Sequence, residues 1–422
     1  MTTHHPESPT PQTATLSNGL QVIVQHTNDS VVYCGYVLRI GTRSEQANDL
    51  GMAHFIEHMT FKGTHRRTAH QINSALEHVG GELNAFTSKQ ETVFTATVLK
   101  DDFRLAVDVL TDIIFHSTFP QHEINKEVEV ICDEIDSYLD SPAELIFDDF
   151  ERIVFEGHPL GRDILGQADR LRSYTTADAL HFARHLYRPE NAIFYVYGNA
   201  DFKQTIALLE KTFSKYPTEP YPTQAYTPLA MPAPKIFLGG GSTHTIYKHT
   251  HQAHIVVGTA RLTSLQENIY PLLLLNNIIG GPCMNSLLGI SLRERTGLVY
   301  TVESALSRYV DYCVWNVYLG CDPADVGRCL KIVRREMNKL CQRPLSPSRL
   351  KAAKRQFIGQ YNIGCDQREN YAINMGKEFA FFGSHRSKSH VAACIESISA
   401  EELQQCAQKI FNPNVLTTLI YQ

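Results

Sequence analysis

His54, Glu57 and His58 stand in the order His-x-x-Glu-His. Histidines at i and i+4 lie one turn apart on one face of a helix, where two imidazole nitrogens can reach one ion. Glu57 sits between them on that face and can take a proton from a water activated by the ion. The order is the inverted form of a zinc-hydrolase motif. A pair of core or surface histidines would explain the same letters, but the helix argues against it. Met52, Phe55, Ile56 and Met59 recur at i, i+3, i+4 and i+7 and form its apolar stripe. At about 100° per residue, the three polar residues centre on roughly the opposite side. They face something other than this helix's own core contact, and a metal explains their convergence.

A catalytic zinc needs a third protein ligand and one open position. Residues 121–139 read as a helix whose apolar stripe is Ile124, Val128, Ile131 and Ile135. Glu127 and Glu134, seven residues apart, stack on one edge of that stripe. Glu129, Asp133 and Asp136 point to the other side, where solvation alone accounts for them. A carboxylate flanking a buried stripe is commonly solvated too, so spacing leaves Glu134 as a candidate and no more.

The elements that must position these groups alternate in a regular way. Strands are predicted at 13–16, 20–24 and 31–39, the first two joined through the hairpin signal Ser17-Asn18-Gly19. Helices follow near 50–61 and 68–78, strands near 83–87 and 92–99, and helices near 101–116 and 121–139. Strands joined by short turns and followed by runs of helices predict an α+β fold with a mostly antiparallel sheet packed against helices. The pattern recurs. Thr175 with Asp178 and Ser399 with Glu402 form capping-box signals, and each opens a helix that stops before a proline and leads into a strand. The offset is 224 residues, and it also places Val31-Val32-Tyr33 on Ile255-Val256-Val257. A repeat of this length predicts two homologous domains. Six prolines between Pro217 and Pro234 predict an extended linker. The expected division is a disordered tail at 1–12, a metal-binding domain at 13–215, a linker at 216–234 and a second domain at 235–422 that has no His-x-x-Glu-His.

Composition narrows the class. A chain of 422 residues with 43% hydrophobic and 20% charged residues is an ordinary globular protein of two or three domains. A net charge of −5 gives no reason to expect nucleic acid or an anionic membrane as partner. No apolar run reaches the roughly 20 residues of a membrane span. The first residues lack the features of a secretory or mitochondrial leader, and His4-His5 read as incidental. The ten cysteines include no Cys-x-x-Cys pair, and nine lie beyond residue 130, many in apolar patterns. They read as reduced thiols in a cytoplasmic protein. Gly239-Gly240-Gly241 lacks the Lys-Ser/Thr of a phosphate loop and reads as a linker end.

The segment Gly51-Met52-Ala53-His54-Phe55-Ile56-Glu57-His58-Met59-Thr60-Phe61-Lys62-Gly63-Thr64 resembles the signature of the pitrilysin/insulinase-type (M16) zinc peptidases, a family that includes the mitochondrial processing peptidases. The chain is similar to small two-domain members over roughly residues 13–421, the catalytic subunit of the processing peptidase among them. The resemblance implies that Glu134 is the third zinc ligand and that Glu127 orients the site. Gly80-Gly81-Glu82-Leu83-Asn84-Ala85-Phe86-Thr87 is similar to the family's strand beside the active site, where an extended substrate adds as a β-strand. Asn84 and the backbone of Ala85 would then hold the peptide. Leu292-Arg293-Glu294-Arg295-Thr296-Gly297-Leu298-Val299-Tyr300 matches the segment of the family's Arg/Tyr pair, which makes Arg293 a substrate contact and Tyr300 an oxyanion donor. Thr296 departs from the family's arginine or lysine before the glycine.

The implied function is hydrolysis of peptide bonds in unfolded peptides or oligopeptides, with one Zn²⁺ per chain and Glu57 as general base. The resemblance also implies a two-chain assembly around a chamber, read here as a homodimer. The alternative is a non-catalytic scaffold or the partner subunit of a peptidase-like complex. Such proteins generally lose motif residues, and here all four are present.

Overall fold

The computed structural model describes residues 10–215, 241–248, 250–263 and 268–422. The linker 216–234, His4-His5 and Gly239-Gly240 lie outside the described residues. The chain divides into two compact units. The first gathers the described parts of 1–135, 162–231 and 365–387, and the second those of 136–161, 232–364 and 388–422. One stretch from each half of the sequence therefore belongs to the unit built mainly from the other half.

The first unit is organised on a six-stranded sheet: β1 (Gln12–Thr15), β2 (Gln21–His26), β3 (Val31–Leu38), β4 (Glu82–Thr87), β5 (Thr92–Leu99) and β6 (Ala192–Gly198). The strand order is β1-β2-β6-β3-β5-β4, which leaves β4 at an edge. Only β2 and β6 run parallel, with Gln21 opposite Ile193. The antiparallel hairpin of β1 and β2 turns through Gly19, at φ +86°, and Asn18 Oδ1 accepts from Leu20 N.

The inner strands read as nearly continuous apolar runs because both faces of the sheet are covered. On one face Val32, Cys34, Tyr36, Phe94 and Phe194 join the main core beneath the helices Met52–Thr60, Phe103–Phe115 and Gln121–Leu139. On the other, Ile23, Val37, Val93, Ile193 and Tyr195 pack against Ala372, Met375 and Ala380. Those three come from the helix Arg368–Phe382, and each large apolar side chain so buried contributes about 1.5–3 kcal/mol. The helix approaches closely because residue 376 is glycine; a Cβ there would lie 2.7 Å from the Tyr195 ring.

The second unit repeats the plan with β7 (Thr243–Ile246), β8 (Ala253–Thr263), β9 (Val299–Arg308), β10 (Tyr312–Cys321) and β11 (Thr417–Tyr421). Its order, β7-β11-β8-β10-β9, reproduces β2-β6-β3-β5-β4, and its one parallel pair, β7 with β11, matches β2 with β6. The two domains are homologous in architecture, and the α+β expectation holds. Both capping boxes form, at Thr175 with Asp178 and at Ser399 with Glu402. In this unit the helix Pro142–Val154 covers the second face. It lays Ile146, Phe150 and Val154 on Val256, Val314 and Leu419, and Asp149 accepts from the Tyr421 hydroxyl. All ten cysteines are thiols. No helix among the described residues is long and apolar enough to cross a membrane.

Candidate metal centre

The motif occupies the helix Met52–Thr60, whose start is held without an N-cap side chain. Gly51 adopts φ +84°, and a Cβ there would come within 2.8 Å of Gly166 Cα. The Glu45 carboxyl accepts from Gly51 N at 3.1 Å and Ala53 N at 2.9 Å, satisfying two donors at the start of the helix, although burial raises its pKa to about 8. Tyr174 donates its hydroxyl to Leu50 O at 2.9 Å. Met52, Phe55, Ile56 and Met59 are buried in the core. The opposite side is covered as well: His54 and Glu57 are each only 7% exposed, which makes the helix buried nearly all round.

What that side faces is the helix Gln121–Leu139. Ile124, Val128 and Ile131 bury its stripe, and Glu129, Asp133 and Asp136 lie exposed on the far side. Glu134 Oε2 lies 3.8 Å from His54 Nε2 and 3.7 Å from His58 Nε2. One ligand atom from each of His54, His58 and Glu134 falls within 4.8 Å of the others, and no other such trio occurs among the described residues. Ligand atoms around a tetrahedral zinc at 2.0–2.1 Å are about 3.4 Å apart, so small side-chain adjustments suffice to hold one. Two imidazoles and a carboxylate also form a donor set that zinc takes in hydrolytic sites.

The neighbours of these groups divide the two histidines. Glu127 is 7% exposed and places Oε1 3.0 Å from His58 Nδ1 and Oε2 2.5 Å from Lys62 Nζ. A carboxylate only accepts, so His58 donates Nδ1–H and keeps the Nε2 lone pair toward Glu134. Burial works against charge on His58, but the bond to Glu127 and the charges of Glu57, Glu127 and Glu134 outweigh it and raise its pKa. Burial, aided by His58, pushes His54 down to about 3, so it stays a neutral imidazole. Its Nδ1 is buried with no hydrogen-bond partner among the described residues. Burial raises Glu57, opposed by the hydrogen bond from Thr87, whose hydroxyl lies 2.7 Å from Oε2. Glu127 is also buried, yet His58 and Lys62 hold it below the usual carboxylate range.

The structure thus gathers His54, Glu57, His58, Glu127 and Glu134 in one unit. Asn84 and Ala85 lie on edge strand β4, with Asn84 exposed and its Oδ1 accepting from Ala85 N at 2.8 Å. Arg293 and Tyr300 belong to the second unit. Arg293 sits in the short π-helical segment Gly289–Glu294 with Nε 3.0 Å from Glu294 Oε1, and Tyr300 is 90% exposed near the start of β9, also an edge strand. Thr296 closes the turn between them by donating to Leu292 O at 2.9 Å. Three participants escaped the sequence reading: Thr87, Lys62 and Glu45. The first two stand inside segments singled out for other residues, and only the fold reveals their partners.

Residues 21–168 match the family described as insulinase (peptidase family M16), and residues 173–357 match the peptidase M16 inactive domain. The uncharacterized zinc protease YmxG of Bacillus subtilis is 30% identical over 96% of this chain and 97% of its own length. An uncharacterized zinc protease of Streptomyces coelicolor is 31% identical over 94% of this chain and 86% of its own. Among solved structures, a protease from Helicobacter pylori superposes with a TM-score of 0.88 at 20% identity, covering 98% of this chain and 99% of the other. A peptidase M16 inactive domain from Pseudomonas fluorescens superposes with a TM-score of 0.83 at 17% identity, over 97% of each chain. These two share the fold, and sequence relatives alike over nearly the full length go further: the chain belongs to the insulinase-type peptidases of family M16.

Proposed function

We propose that the chain is a zinc metalloendopeptidase that hydrolyses peptide bonds in unfolded peptides or oligopeptides. The observation that carries this reading is the approach of Glu134 Oε2 to within 3.7 and 3.8 Å of the two histidine Nε2 atoms, with Glu57 on the same helix. One Zn²⁺ is held by His54, His58 and Glu134, and it supplies the Lewis acidity that polarises a carbonyl and eases deprotonation of water.

The remaining steps belong to the chain's own side chains. Glu57 takes the proton of the attacking water, whose oxygen bonds to the carbonyl carbon. It then passes that proton to the amine nitrogen as the C–N bond breaks. Thr87 fixes the Glu57 carboxylate through its hydroxyl. Glu127 fixes the His58 ring. An extended peptide pairs along edge strand β4, exchanging its own backbone for the Asn84 side chain at Ala85 N–H. Arg293 holds substrate backbone and Tyr300 donates to the oxyanion. The thiol state of the cysteines favours a cytoplasmic setting, and the working form is a homodimer.

A scaffold or partner-subunit role is the second reading, favoured by the match of residues 173–357 to an inactive domain. Metal analysis of the purified protein, together with cleavage of a quenched fluorescent peptide library with and without chelator, separates the two. About one zinc per chain with chelator-sensitive cleavage supports the peptidase. A chain that takes up no metal on zinc reconstitution is a scaffold.

A further inference from the structure

Lys62 follows His58 by four residues, just past the end of the motif helix, where its N–H bonds to Met59 O at 3.1 Å. Its ammonium lies 2.5 Å from Glu127 Oε2. The other oxygen of that carboxylate takes His58 Nδ1 at 3.0 Å. The Glu127 side chain is only 9% exposed, so both oxygens are committed inside the protein.

Two consequences follow from this chain of contacts. A carboxylate held by two close donors, one of them a cation, has one orientation, and the plane of the His58 ring is set by it. Lys62 and Glu127 also tie the C-terminal end of the motif helix to the helix Gln121–Leu139. Those two elements carry His58 and Glu134, and Glu134 stands two turns beyond Glu127 on the same face. The ion pair therefore clamps the two helices at the spacing the ligand set needs. An isolated buried carboxylate is costly, and removing its cation frees Glu127 to turn toward water.

We propose that Lys62 is a positioning residue for the metal centre, acting through Glu127 on His58 and on the placement of Glu134. The proposal rests on the reading of His54, His58 and Glu134 as zinc ligands. Glu123, on the same helix as Glu127, also feels the Lys62 charge, and Glu57 and Glu134 act on His58 from the other side.

The test is zinc affinity of the full chain, measured by competition with a chromophoric chelator, for wild type, Lys62→Met, Lys62→Arg, Glu127→Gln, Lys62→Met with Glu127→Gln, and His58→Ala. Lys62→Met is expected to bind zinc about 10–100-fold more weakly, the range for loss of an outer partner. Lys62→Arg, which keeps the charge, is expected to recover most of that loss. The double variant is expected to bind no more weakly than Glu127→Gln alone, because both changes break one relay. The visible spectrum of the cobalt-loaded protein is expected to shift in Lys62→Met and to return in Lys62→Arg, which a merely structural lysine would not produce. Wild-type affinity in Lys62→Met, or multiplied losses in the double variant, overturns the proposal. If Lys62→Met does not fold, Lys62→Gln takes its place with the same expectations. Zinc binding that survives His58→Ala overturns instead the ligand assignment beneath it.

Discussion

Thr87 and Glu57 meet across 2.7 Å, the strand hydroxyl donating to the Oε2 of the motif carboxylate. Edge strand β4, where a peptide would pair, is thereby joined to the group that would handle the proton. Removing this bond by Thr87→Val leaves the three ligands untouched and frees the carboxylate to rotate. The expected result is full zinc content with kcat lowered by about tenfold, the equivalent of one hydrogen bond to a charged group. Thr87→Ser is expected to restore most of it. Steady-state peptide cleavage alongside elemental analysis reads both.

Glu57→Gln keeps the shape of the side chain and removes its capacity to take a proton. Zinc content should remain at the wild-type level while kcat falls by about 10²–10⁴-fold. A Glu57→Gln protein with normal turnover would remove Glu57 from the mechanism.

Zinc bound only by the folded state stabilises it by mass action, about 2.7 kcal/mol at one hundred times the dissociation constant. Chelation is expected to lower the melting temperature of the wild type. The His54→Ala protein should melt at one temperature with or without chelator, and calorimetry makes the comparison directly.

The start of the motif helix gives a fourth prediction. Gly51 combines φ +84° with a close approach to Gly166, so Gly51→Ala is both strained and crowded. A loss of about 1–3 kcal/mol in urea unfolding is expected, together with weaker zinc binding, because His54 lies one turn along the same helix.

Acid stability tests a site away from the metal. Asp108 is gripped by Arg67 at 2.5 Å and Lys215 at 2.9 Å. Although burial opposes its charge, these cations hold it down to about 2, below the ordinary value of 3.8. A depressed carboxylate pKa gives stability that is present above the ordinary value and lost as pH falls through the folded one. Wild type is therefore expected to lose about 1–2 kcal/mol between pH 4 and pH 2 that Asp108→Asn lacks at every pH. Urea titrations of both proteins across that window show the difference.

Much of this was legible in the sequence because it is written at helical period. The order of His54, Glu57 and His58 and the seven-residue step from Glu127 to Glu134 fix which side chains share a face, and the two helices bring those faces together. The capping boxes at Thr175 and Ser399 are equally local, and both form. Thr87 reads only as part of a strand in the sequence, because its partner depends on how β4 sits against the motif helix, thirty residues away. Lys62 and Glu127 are 65 residues apart, and nothing in the sequence pairs the lysine with that carboxylate until two helices pack. The parallel pairing of β2 with β6 was equally hidden, since it joins residues 172 positions apart.

The helix Arg368–Phe382, which covers the second face of the first sheet, reaches back across most of the chain. During synthesis the strands of that sheet leave the ribosome long before their cover. Ile23, Val37, Val93 and Ile193 must wait, with one side bare, until residue 380 has emerged. A nascent chain halted near residue 216 would present that apolar sheet face to whatever binds unfolded protein, and a stop codon anywhere before residue 368 would leave it permanently unfinished.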